Sequence, residues 1–227
     1  MATEVKQPAA PVITETSSAD KAQQFWTKNS KWIVYGLVGL VVLLGGFFAY
    51  RSFVQVPNEQ KAVEAMFKAE EYYRMDSVRL ALNGDGPNAG FLKIISRYGS
   101  TKSGNLAKFY AGSSYLKLGD YNNAIKYLQD FKTSDKLVEL RATGLLADAL
   151  AESGKKKEAV DLYKKAGTMY PEDIANSPEY LFRAGLLYQE LGNNDQAIEM
   201  YNIIKEKYST SQQGRDIDKY LARLGKY

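Results

Sequence analysis

At 227 residues, with 45% apolar and 25% charged side chains, the chain has room for one or two domains and an ordinary globular core. Its net charge of +4 is too dilute for a nucleic-acid footprint, and no basic stripe with interleaved aromatics accompanies it. Cysteine and histidine are both absent, which excludes thiolate and imidazole metal sites, disulfides, Cys or His nucleophiles and a lipidated cysteine.

Residues 1–20 mix Pro, Ala, Thr and Ser without periodicity and read as a disordered tail. A short helix is expected from Asp20, with Phe25 and Trp26 at its edge, leading into residues 32–50, WIVYGLVGLVVLLGGFFAY. That stretch has no charge, is bracketed by Lys31 and Arg51, and at ~1.5 Å per residue matches the hydrocarbon core of a bilayer. Trp32, Tyr35 and Tyr50 near its ends suit interfacial aromatic belts. A cleaved signal peptide is disfavoured, because the run is too long, begins past residue 30 and lacks a small-x-small cleavage site. A buried soluble helix would be oddly rich in Gly and Val, so residues 21–51 are expected to form a membrane anchor. Gly45 and Ala49 have the spacing of close helix contacts, although glycine is common in membrane helices anyway. Orientation stays open: Lys21, Lys28 and Lys31 before the span balance Arg51, Lys61 and Lys68 after it.

From Pro57 the pattern is helical. Asn58 is placed to cap, Glu59 supplies first-turn negative charge, and Ala62, Val63, Ala65, Met66, Ala69, Tyr72 and Tyr73 form an apolar stripe. Residues 83–88, NGDGPN, must be a loop; their oxygens do not match a calcium-loop spacing. A second helix is expected from about Asn88 to Tyr98, making residues 57–104 a degenerate first hairpin.

The decisive pattern follows. Gly119, four residues, then Ala124-Ile125 recurs as Gly154 with Ala159-Val160 and as Gly192 with Ala197-Ile198, in steps of 35 and 38 residues. Each copy has a small residue seven before the glycine (Gly112, Ala147, Gly185), a large one four before it (Tyr115, Leu150, Tyr188) and a large one nine after it (Leu128, Tyr163, Tyr201). This spacing predicts two antiparallel helices closed by a glycine at positive φ, with the small residues and the Ala allowing close approach. One hairpin cannot bury its own apolar faces, so neighbours must stack. The span from Tyr98 to Gly104 is echoed from Tyr208 to Gly214, and beyond it residues 212–227 are expected to cap the array with a helix burying Ile217, Tyr220, Leu221 and Leu224.

On these positions the chain resembles the tetratricopeptide repeat family over residues 105–138, 140–173 and 178–211, with Pro171 where that family often has an inter-repeat proline. The fold expected is therefore all-α: a single N-terminal transmembrane helix followed by an α-solenoid of tetratricopeptide-like hairpins. The resemblance implies a protein-binding groove on the first helices, carried over onto Leu106, Phe109, Ser113, Leu116 and Lys117 in the first copy. It falls on Arg141, Gly144, Asp148, Ala151 and Glu152 in the second, and on Glu179, Phe182, Leu186, Gln189 and Glu190 in the third. The groove lacks clustered Lys and Arg for clamping a terminal carboxylate. No nucleotide loop or nucleophile constellation is present, and adjacent carboxylates such as Glu70-Glu71 point apart on a helix, so neither an enzyme nor a cofactor is expected.

The order of parts, Phe25-Trp26 ahead of one anchor and then helical repeats, is similar to the ancillary Sec translocon subunit (YfgM-like) family of bacterial inner membranes. That likeness implies a periplasmic repeat domain near the translocon, contacting secreted polypeptides or periplasmic chaperones, with lipid contact through residues 32–50. The alternative is a cytosol-facing anchored receptor or a scaffold for membrane complexes.

Overall fold

The computed structural model describes residues 18–226; the expected tail over residues 1–17 lies outside the described residues. Among these the chain is helical throughout, without a strand, and Gly84 and Ala89 form a lone antiparallel bridge. Two compact units divide between Val54 and Gln55.

The first unit holds α1 (Ser18–Tyr50), followed by a π-helical turn, Arg51–Gln55. It contains an apolar stretch long enough to cross a membrane, none of it buried. Leu43, for instance, is 73% exposed. Ser18, Ala19 and Asp20, expected as the end of the tail, are already helical.

The second unit begins with α2 (Val56–Arg74), α3 (Val78–Asn83) and α4 (Phe91–Tyr98). Three first-helix and second-helix pairs follow: α5 (Lys102–Lys117) with α6 (Tyr121–Asp130), α7 (Lys136–Glu152) with α8 (Lys156–Thr168), and α9 (Ser177–Glu190) with α10 (Asn194–Lys207). Helix α11 (Gln212–Arg223) ends the array and buries Ile217 and Leu221. Asn58 does not cap α2. The π turn is already helical, so no free helix end exists there, and Pro57 falls in the first turn, where its missing N–H is tolerated. The expected second helix is present as α4, starting at Phe91 rather than about Asn88, and the expected loop is preceded by a short helix not foreseen, α3, which ends at Asn83 before Gly84, whose φ is 83°.

The hairpin turns show why the glycines recur. Gly119, Gly154 and Gly192 have φ of 75°, 84° and 78°. At each, the glycine N–H and the next N–H donate back into the last turn, as in Gly119 N to Leu116 O (3.1 Å) and Asp120 N to Tyr115 O (3.0 Å). That bond pair satisfies carbonyls a helix end would otherwise orphan. Asp76, at φ 57°, makes the same pair through Tyr73 O and Tyr72 O. Around it the repeat's frame is intact: Ala69 lies seven before, Tyr72 four before, and Ala81-Leu82 five and six after.

Small residues sit where helices close on one another. A Cβ at Gly112 would lie 2.6 Å from Leu128 Cγ, and one at Gly185 would lie 2.2 Å from the Tyr201 ring. In these two hairpins the residue nine after the turn therefore lies on the small one seven before it. Two buried clusters result. One runs through α2–α5 around Phe91 and Ile94, the other through α6–α11 around Leu140, Leu181 and Tyr201, and Tyr115 touches both.

Candidate functional site

The expected groove positions lie on α5, α7 and α9, and many of them make contacts between neighbouring repeats. Ser113 is buried, its Oγ 2.7 Å from the Tyr73 hydroxyl of α2, and Lys117 pairs with Asp76 at 2.7 Å while its ammonium sits over the Tyr73 ring. Phe109 packs between Tyr110 and Phe131, both with ring centroids 5.6 Å away. Gly144 is covered by Tyr180, whose ring carbon would stand 2.0 Å from an added Cβ. Glu152 accepts from Tyr121, and Glu190 pairs with Lys156.

Asp148 anchors a polar chain that runs from the middle repeat through the last to the capping helix. Its Oδ1 accepts from the Tyr163 hydroxyl (2.6 Å) and from Arg183 Nη1 (2.5 Å); Arg183 Nε also donates to Glu179 (2.7 Å), and Glu179 accepts from Gln213 of α11. Burial opposes the Arg183 charge, but the hydrogen bonds and charges of Glu179 and Asp148 outweigh it and raise its pKa. Burial, reinforced by the Asp148 carboxylate, likewise pushes the Tyr163 phenol far up. This chain locks the middle and last repeats together more than it offers open chemistry.

Several of the remaining positions border two clefts. At the C-terminal end Glu179, Phe182, Arg183 and Leu186 of α9 face Gln212, Gln213, Asp216 and Tyr220 of α11 across about 390 Å³. Phe182 is held edge-on by Tyr220 at 4.8 Å, whereas Leu186 stays 40% exposed. Arg141 is exposed with no ion pair among the described residues, and Gln189, Leu116 and Ala151 are partly buried. At the other end Leu106 borders a cleft of about 640 Å³ with Val63, Glu64, Met66, Phe67, Glu70 and Ser103. Val63 does not join the buried stripe expected of it: Ala62, Met66 and Ala69 turn inward, while Val63 and Phe67, one position out of phase, are 54% and 68% exposed. The i, i+4 spacing of two bulky residues off the buried line was the available signal for them.

A family model described as a tetratricopeptide repeat-like domain matches residues 23–224. The chain belongs to that family. Comparison with curated proteins returns no match. Tetratricopeptide repeat-like domains are in general non-catalytic modules that bind other proteins, so this repeat protein is read as a protein-binding scaffold. Among the described residues no three carboxylates converge to hold a metal ion.

Proposed function

We propose that this repeat protein is anchored in the bacterial inner membrane by residues 32–50 and holds its repeat domain on the periplasmic side near the Sec translocon. There it contacts secreted polypeptides in transit or periplasmic chaperones. The observation that carries the reading is the uncharged run of α1, whose apolar side chains are open to solvent, while the second unit buries most of its own in two clusters. The family match supports the same layout, since it begins at residue 23 and so includes the apolar segment together with the repeats. The anchor then sets location and local concentration, and the two clefts offer weak contacts that add through multivalency. Residues 57–104 act as the first hairpin, 105–211 as the three regular repeats and 212–227 as the cap.

A reporter enzyme active only outside the cytosol, fused after Tyr227, tests the orientation. Activity there, with protease digestion of the repeats in spheroplasts whose membrane is intact, supports the proposal. Protection until the membrane is opened would turn the domain to the cytosol and replace the envelope partners with those of a cytosolic receptor. A photo-crosslinker placed at Leu186 should then capture envelope proteins, and recovery of cytosolic proteins alone would count against the reading.

A further inference from the structure

The cleft between α2 and α5 is open, apolar at its floor and acidic at its edges. Val63, Phe67 and Leu106 supply the apolar surface, and the charged side chains lining it are Glu64 and Glu70, with no cation among them. Neither carboxylate has an ion pair among the described residues. Two neighbouring charges are already engaged. Glu59 accepts from the backbone N–H of Lys102 and Ser103 and from Ser103 Oγ, at 2.7, 3.1 and 2.6 Å, so its charge is spent on the first turn of α5. Lys68 is held by Glu71 at 2.9 Å. Glu70 is partly buried, and burial raises its pKa, with Arg74 offsetting only part of this. A partly buried carboxylate with which its neighbour Arg74 makes no direct ion pair is a group that a cation from a partner would relieve.

We propose that this cleft receives a polypeptide segment whose apolar side chains are flanked by lysine or arginine. The apolar anchors enter between Phe67 and Leu106, and the flanking cations meet Glu64 and Glu70. The volume, about 640 Å³, suits a few side chains rather than a whole domain. An anionic lipid surface is repelled by the same two carboxylates. The proposal rests on the protein-binding reading above and narrows it to one end of the array and one class of partner.

The test uses the full chain in nanodiscs of zwitterionic lipid, with empty nanodiscs subtracted, and two fluorescein-labelled peptides of identical leucine spacing, one with lysine and one with glutamate at the polar positions. Fluorescence anisotropy should show the lysine peptide binding at least about 10-fold more tightly, because like charges across an interface are strongly disfavoured. Phe67→Ser and Glu64→Lys, both at exposed positions, should each weaken it about 10-fold, as removal of a central anchor or of its charge partner does. Leu186→Ser, in the other cleft, should change it little, and a circular-dichroism melt checks that all variants stay folded. Equal affinity for the two peptides, or no binding of either, overturns the inference. Sensitivity to Leu186→Ser instead of Phe67→Ser also overturns it, yet leaves the protein-binding reading intact. A dimer that Phe67→Ser converts to monomer would assign the cleft to a second copy and overturn it as well.

Discussion

At Asp76 and at Gly119 the backbone makes the same turn, with the same two hydrogen bonds closing the preceding helix. Only the second site carries the residue that tolerates left-handed φ without Cβ strain. The front of the second unit and its three regular hairpins thus share one frame, yet they fill it differently. In two of the regular hairpins a large side chain nine residues past the turn lies on a small one seven before it, Leu128 on Gly112 and Tyr201 on Gly185. At the front the position nine after Asp76 is Asp85, a loop residue that accepts from the Tyr72 hydroxyl at 2.6 Å. The missing bulk is supplied by Phe91, which is wholly buried and stacks on Tyr110 at 5.2 Å. A repeat can therefore survive an interruption of its second helix, provided that an aromatic from beyond the break refills the gap.

The largest effect should come from breaking that substitute. Phe91→Ala is expected to cost about 3 to 5 kcal/mol, as truncation of a buried aromatic does. If the front holds only through neighbour contacts such as Tyr115, thermal melting should separate into an early front transition and a later one for the repeats. A single shifted transition would mean that the two clusters unfold as one body.

Ala197→Leu sharpens the other side of the comparison. Ala197 is fully buried at the close point of the last hairpin, and overpacking there should cost about 1 to 3 kcal/mol in denaturant unfolding. An unchanged midpoint would mean that the small residues are not what lets the helices approach.

Tyr201 shows that the regular packing carries its own penalty, because its buried hydroxyl has no partner. Tyr201→Phe should add about 1 kcal/mol by removing that unsatisfied group. Burial pushes the Tyr201 phenol up to about 12, so the folded state keeps its proton while the unfolded chain ionises near the ordinary value of about 10. Stability is then intact below about pH 10 and falls as pH rises toward 12, and urea titrations of the Phe variant across that window should show a shallower fall.

The smallest effect is expected at the front turn. Asp76→Gly removes left-handed strain but also the exposed ion pair with Lys117, leaving a gain of about 0.5 kcal/mol. A loss instead would show that the pair outweighs the strain.

These comparisons explain how far the sequence could be read. The three glycine-closed hairpins were legible because positive φ leaves few residue choices and close approach demands small ones, so position and identity are tied. The front repeat was legible only as a degenerate hairpin, because of one exception. With Asp at the turn the glycine period vanishes, although Ala69, Tyr72, Ala81 and Leu82 keep the frame. The site was less legible than the fold. Groove positions on one helix do not reveal which are taken by the neighbouring repeat, so Ser113 and Asp148 read as surface and prove to be ties to Tyr73 and Arg183. Val63 is the reverse case, since an apolar residue on a helix reads as core until its phase against Ala62, Met66 and Ala69 is known.

The turns also differ from the connections between repeats. From Asp76, Gly119, Gly154 and Gly192 the next helix always starts two residues later, while the connections that join one hairpin to the next vary, five residues from Phe131 to Asp135 and eight from Met169 to Asn176. Exposed residues on those connections, such as Ser134 and Ile174, stand outside the packed frame. Because the chain has no native thiol, Ser134→Cys or Ile174→Cys would each create a unique attachment point. A pair of such labels would act as a ruler along the array, reporting by spectroscopy whether the stack flexes or stays stiff when cargo arrives.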